Sequence, residues 1–183
     1  MERNSLFGLF KASPSQNTVA MELYSSVVAQ ARQPYFYTHL AVPDTPDGRY
    51  DMIMIHAFLL LHRLKRDLPN TKEISQALFD IMFEDMDKSL REMGAGDVGI
   101  GRRIKEMAKA FYGRIAVYDE GLDRDDDSLD IALQRNVYRQ TSVKNEQVSA
   151  LSFYMRREAV NLSDQPIEAL LGGRLSFADP SSY

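Results

Sequence analysis

The sequence predicts an all-α protein: a single compact helical domain of about six to seven helices with a short irregular C-terminal tail. Three observations carry this expectation. Apolar residues recur at helical spacing in several long segments. Helix-start and helix-stop residues bracket those segments. A chain of 183 residues, 44% of them hydrophobic, suits one domain with a full core.

Residues 1–13 read as a flexible N-terminal tail, with the single helical domain spanning 14–183. The tail carries an apolar cluster, Leu6, Phe7, Leu9 and Phe10, suited to packing on the domain or to contact with a membrane surface or partner. Ser13-Pro14 is an N-cap followed by proline at the first helical position. A first helix follows to about Arg32, striped by Val19, Leu23 and Val27, and Pro34 ends it. Residues 34–50 read as extended or looped, because Pro43, Pro46 and Gly48 punctuate them. A second helix, about Tyr50 to Arg66, is apolar all round at its middle, which marks a domain centre. Its apolar run from Met52 to Leu61 spans about 15 Å, half of the roughly 30 Å needed to cross a bilayer core.

Thr71 reads as the N-cap of a third helix, about Lys72 to Met93, with Gly94 as its C′ residue. Asp80, Glu84, Asp87 and Arg91 share that helix's polar face. A fourth helix runs from about Val98 to Gly121. Its first half is basic through Arg102, Arg103, Lys105 and Lys109. Asp123 to Asp127 form a solvated linker. A fifth helix spans about Ser128 to Arg139 and a sixth about Val143 to Leu162. Ile167 to Leu171 suit one last turn, and Gly173 to Phe177 a short extended piece.

The chemistry is constrained by what the chain holds. It has no cysteine, so thiolate metal sites, iron–sulfur clusters and cysteine nucleophiles are excluded. A net charge of −4 does not suit DNA binding, which rests on clustered Lys and Arg. Gly94-Ala95-Gly96-Asp97-Val98-Gly99 matches the dinucleotide fingerprint, but a long helix precedes it where a strand is required. It reads instead as a helix–turn–helix joint with Asp97 as N-cap. Di-iron helical sites need Glu-x-x-His pairs. Phe36, Ile53 and Leu59 stand three residues before His39, His56 and His62, so no such pair exists. No G-x-S-x-G frame occurs. The expectation is a protein without cofactor, metal or catalytic residues. His56, inside an apolar helix, reads as a hydrogen-bonded core group whose partner is a Tyr hydroxyl or a carboxylate. Nine methionines, six of them in three helices, suit either core filling or an adaptable binding surface.

Three stretches carry a family resemblance. They are Asp51-Met-Ile-Met-Ile-His56 running on to Arg63-Leu64; Gln76-Ala-Leu-Phe79-Asp80-Ile-Met-Phe83-Glu-Asp85-Met-Asp87 running on through Arg91 to Gly94-Ala-Gly96-Asp97; and Gly101-Arg-Arg103-Ile-Lys105 through Phe111-Tyr112-Gly113-Arg114 to Tyr118. On these the chain resembles the ubiquinol–cytochrome c chaperone family, with the family-like core at 50–118. The resemblance implies an assembly factor for the respiratory cytochrome bc1 complex whose client is newly made cytochrome b. It also implies a small partner protein and a place near the ribosome, although an acidic chain does not by itself supply a ribosome-binding patch. The N-terminus lacks the look of a transit or secretory peptide, so a bacterial, cytoplasmic member is expected, with peripheral contact at the inner face of the membrane.

The expected mechanism is binding without chemistry. An apolar groove takes a hydrophobic client segment, and a charged rim orients it. The candidate floor is Phe79, Phe83, Phe111, Tyr112 and Tyr118. The candidate rim is Asp80, Asp85, Asp87, Arg91, Asp97, Arg103, Lys105 and Arg114. Two rivals make different demands. A helical small-molecule enzyme needs an enclosed polar pocket holding a carboxylate of raised pKa. A haem-handling protein needs His56 or His39 accessible.

Overall fold

The computed structural model of the chain describes residues 13–94, 97–139 and 141–182, and the side chains of all of these except Asp97 and Val98. The apolar cluster at Leu6 to Phe10 lies outside the described residues. In chain order the elements are α1 (Pro14–Ala31), α2 (Pro34–Thr38), α3 (Pro46–Lys65), α4 (Lys72–Glu92) and α5 (Asp97–Asp123). Then come α6 (Ser128–Leu133), which continues as a π-helical turn over Gln134–Tyr138, α7 (Asn145–Asp164) and α8 (Ile167–Leu171). A 3-10 turn at Pro180–Ser182 follows, and all regular structure among the described residues is helical.

The entry to α1 is built as its residues predict. Gln16 N–H donates to the Ser13 hydroxyl at 3.3 Å, and Ser13 N–H donates to Gln16 Oε1 at 2.8 Å. The same signature recurs where the sequence suggested a loop. Thr45 caps α3 by accepting from Gly48 N–H at 3.1 Å, and Pro46 occupies the first helical position. Helix α3 therefore begins four residues before Tyr50, and α2 begins at Pro34. Both prolines sit at a helix start, where the missing N–H would have had no intrahelical partner. They end one segment and open the next. At the other joint, Gly94 takes φ +82° just beyond α4, and α5 opens at Asp97. Of the glycine-rich motif, Gly94 follows α4 and residues 97–99 open α5.

Helix α3 is the axis of the molecule. Every residue from Tyr50 to Leu60 is buried, and α1, α4, α5, α7 and the π-helical turn all pack on it. α1 lies most extensively along α4. Each Leu, Ile or Phe so buried contributes about 1.5–3 kcal/mol. Met52, Met54, Met82 and Met86 fill gaps in this core, whereas Met93 is exposed.

Thr71 stands at the start of α4, but its hydroxyl does not cap that helix. It is fully buried and donates to the Leu64 carbonyl at 2.7 Å, closing the C-terminal end of α3. Arg63 does the same for α7, donating to the carbonyls of Leu162 at 3.0 Å and Gln165 at 3.1 Å. The expected consequence is that Thr71→Val keeps the shape but strands the Leu64 carbonyl. Urea denaturation is expected to show a loss of about 1–3 kcal/mol with an unchanged m-value.

Candidate functional site

The second and third family-like stretches fold into α4 and α5, which pack side by side. Their contact carries an aromatic cluster. The Phe79 ring lies 4.6 Å from Phe83, 5.9 Å from Phe111 and 5.3 Å from Tyr112, centroid to centroid. Helical spacing explains this: Phe79 and Phe83 are one turn apart on α4, and consecutive Phe111 and Tyr112 point at its inner and outer edges. Phe79, Phe83 and Phe111 are buried, while Tyr112 is 51% exposed. Tyr118, two turns on, is buried beside Phe58, ring to ring at 5.5 Å.

The predicted rim divides into three groups. Near Tyr112 stands Asp80, held by Gln76 Nε2 at 2.9 Å, while Lys105 is exposed two turns earlier on α5. Partial burial raises the Asp80 pKa, with the Gln76 bond opposing. Further along, Asp87 accepts from Arg91 Nε at 2.8 Å, and Arg103 reaches Asp47 at 3.2 Å. Two others work inside the fold. Asp85 accepts from the Tyr24 hydroxyl at 2.8 Å, tying α4 to α1. Arg114 donates to Asp51 at 2.6 Å. Asp97 is the first residue of α5, its side chain outside the described ones.

Two polar clusters that the motifs did not bring together sit in the interior. Asp51 is 2% exposed and shared by two arginines, Arg114 from α5 and Arg139 just after the π-helical turn. Arg139 Nη2 lies 3.0 Å from both carboxylate oxygens, and Arg139 holds φ +46°. Burial pushes the Asp51 carboxyl up to about 6, against the pull of both guanidiniums. The second cluster is a chain of hydrogen bonds. His56 Nδ1 donates to the Met52 carbonyl at 2.7 Å, which leaves Nε2 to accept from the Tyr154 hydroxyl at 2.8 Å. Gln30 Nε2 donates in turn to Tyr154 at 3.0 Å. The expected Tyr hydroxyl partner is thus found, on α7. Burial lowers the His56 pKa to about 4.

These geometries bear on both rivals. His56 has no accessible surface and both ring nitrogens engaged, so it does not meet the demand of a haem ligand. His39 is exposed and stacks on Tyr35 at 4.7 Å. An open depression of about 440 Å³ lies along α7, lined by Arg156, Arg157, Val160, Asn161 and Asp164 with Ala178 and Ser182. Asp51 and Asp80, whose pKa values are raised, do not line it.

Fold and site together define an all-helical protein whose buried ionisable groups hold its helices to one another. The family model for the ubiquinol-cytochrome C chaperone matches residues 38–177, and the chain belongs to that family. The match takes in α6 to α8, beyond the 50–118 core that the motifs mark. The ubiquinol-cytochrome c reductase complex assembly factor 1 of Mus musculus is 28% identical over 152 residues, covering 83% of this chain and 52% of that protein. That of Homo sapiens is 26% identical over 152 residues, covering 83% and 51%. The chain thus spans about half the length of these mammalian relatives. The crystal structure of the Cbp3 homolog from Brucella abortus superposes with a TM-score of 0.82 at 38% identity, covering 91% of this chain and 92% of that one.

Two outcomes are expected from the interior clusters. His56 has a folded pKa below its unfolded value, 4 against 6.5, so the unfolded chain binds the extra proton. Its contribution is complete above pH 6.5 and is lost as pH falls through about 4, some 3 kcal/mol in all. Asp51 works with the opposite sign, its contribution falling as pH rises toward 6, in wild type and variant alike. Urea melts at pH 7 and pH 4 are therefore expected to show the wild type losing about 3 kcal/mol more than His56→Gln. Arg114→Ala leaves the Asp51 carboxylate under-paired and is expected to cost about 3–5 kcal/mol in the same assay at pH 7.

Proposed function

We propose that this chain is an assembly factor for the cytochrome bc1 complex, acting as a chaperone for newly made cytochrome b. The observation that carries the reading is its family membership along residues 38–177, with a solved bacterial Cbp3 homolog matched over nearly the whole chain. The work is binding and not catalysis, as the names of the matched relatives suggest.

The α4–α5 face is the proposed client site, with its exposed side chains as the proposed contacts. Tyr112 is the exposed aromatic anchor, with Met93, the residue after α4, as a second exposed apolar side chain. Aromatic side chains suit this use, since they offer much apolar area for few rotatable bonds. Phe79, Phe83 and Phe111 support Tyr112 from beneath. Asp80, Asp87, Arg91, Arg103 and Lys105 set orientation from the rim, where exposed charges act on specificity more than on affinity. Asp85, Arg114 and Tyr118 contribute by holding the face in place. A small partner protein and work close to the membrane, from its cytoplasmic side, follow from the family reading and from a client that is a membrane protein. No helix among the described residues is long and apolar enough to cross a membrane.

A photoreactive residue placed at position 112 in cells is expected to trap cytochrome b, and one at exposed Ile131 on α6 is not. Tyr112→Glu is expected to lower capture about ten-fold, the loss of roughly 1.4 kcal/mol at one anchor. Deleting the gene is expected to lower cytochrome b and assembled bc1 complex while growth that bypasses the complex continues. Unchanged bc1 levels in the deletion strain would refute the reading.

A further inference from the structure

Residues 174–179 form neither helix nor strand; they run from α8 to the 3-10 turn in an irregular path. They cross the seam where α1, α3 and α7 meet, and their main chain is held by side chains. The Gln165 amide closes on Ser176 twice: Nε2 donates to the Ser176 carbonyl at 2.6 Å, and Ser176 N–H donates to Oε1 at 3.1 Å. Asn161 Nδ2 donates to the same carbonyl at 3.2 Å. Two residues on, Ala178 N–H donates to Glu158 Oε1 at 3.2 Å, and Gln30 Nε2 donates to the Ala178 carbonyl at 2.8 Å. Both N–H and both C=O groups of residues i and i+2 are satisfied, which is the pattern by which a strand edge holds an added peptide. Here carboxamides and one carboxylate do the work of the strand.

Between these clamps Phe177 meets the His56 ring edge-to-face at 5.2 Å and 86°. Leu175, two residues earlier, also packs against the core. The seam thus makes backbone contacts, which do not read sequence, and one aromatic contact, which does. Glu158 and Gln30 are buried, Glu158 completely. Each keeps a partner off the tail, Tyr154 for Gln30 and Asn161 for Glu158, and each offers one further hydrogen-bonding position that the tail fills here and that an extended segment of another chain would fill in its place. The tail leaves α8 through Gly173 at φ +76°, where an added Cβ would lie 1.9 Å from Glu22 Oε2. Glycine suits this left-handed turn, where other side chains are strained.

We infer that the α1–α7 seam is a receptor for an extended peptide carrying an aromatic residue, occupied in this structure by the chain's own residues 174–179. The occupant in trans is an unfolded segment of another polypeptide with its aromatic side chain at the place of Phe177. The tail acts as a tethered competitor. Its short link to α8 gives it an effective concentration in the millimolar range, so a free peptide binds weakly until the tail is loosened. None of the clamp residues belongs to the α4–α5 face, so the inference stands or falls apart from the proposed client site.

The test uses the full chain and a fluorescein-labelled peptide, Arg-Leu-Ser-Phe-Ala-Asp-Pro, copied from residues 174–180. Phe177→Ala weakens the tail and leaves the receptor intact, and is expected to bind the probe about ten-fold more tightly than wild type in fluorescence polarisation. A probe with Ala in place of Phe is expected to lose that binding. Ser176→Pro, which removes the N–H offered to Gln165, is a second tail-only variant with the same expected gain, and circular dichroism checks both folds. In hydrogen exchange, the probe is expected to keep the Ala178 amide of the Phe177→Ala chain fast-exchanging while α7 stays protected. Probe affinity equal to wild type in both folded variants, or equal affinity for the two probes, would overturn the inference.

Discussion

Complete burial of the middle of α3, Tyr50 to Leu60, is the constraint on which the rest of the structure depends. A helix with no solvent-facing side at its middle cannot leave a polar side chain without a partner, because the desolvation of such a group is not recovered elsewhere. Three buried polar residues are placed along it, and each is answered by a partner from another part of the chain. Asp51 near its start is met by Arg114 from α5 and Arg139 after the π-helical turn. His56 at its middle is met by Tyr154 from α7. Arg63 near its end meets the last carbonyls of α7, and Thr71 closes the carbonyl of Leu64. Apolar burial supplies most of the stabilisation, while these pairs specify which helix lies where and in what register.

The irregular features follow from that requirement. After α6 the chain widens into a π-helical turn, with Arg139 N–H reaching back to the Gln134 carbonyl at 2.8 Å. π-helical turns are rare and cluster where an extra residue re-aims the chain. Here the turn is followed by Arg139 in an unusual backbone conformation, with its guanidinium on Asp51. Tyr138 in the same turn donates to the Leu40 carbonyl at 2.8 Å, so one turn pins both the front of α3 and the loop before it. Strain in a single residue, of order 1–3 kcal/mol, is tolerable where it brings a second guanidinium onto a buried carboxylate.

The same logic separates interior from surface on α4 and α5. The buried aromatics Phe79, Phe83 and Phe111 lie beneath the exposed Tyr112, whose ring rests against Phe79. At the opposite end of the chain, the tail is held in the same economical way, by backbone bonds to Gln165, Glu158 and Gln30 and one ring contact to His56. The hydrogen-bond chain that satisfies His56 therefore also prepares the bed on which Phe177 rests.

The sequence by itself determined the helical class, the positions of α1, α4, α5 and α7 to within a few residues, the joint at Gly94 and the family. These depend on local chemistry: periodic apolar side chains, Ser13-Pro14 as a cap, glycine beyond a helix end. It also foretold a tyrosine or carboxylate on His56, because a histidine in an apolar helix has few ways to be satisfied. Local reading failed at residues 34–50, since Pro34 and Pro46 break one helix and begin another, and the chemistry of the residue is the same in both roles. It could not decide that Thr71 faces inward, that Asp85 and Arg114 serve the interior while Tyr112 faces outward, or that Gln30 and Gln165 clamp the tail. Those outcomes depend on partners tens of residues away, such as Asp85 on Tyr24 and Gln30 on Ala178, and only the packing of α3 against its neighbours brings such partners within hydrogen-bond reach.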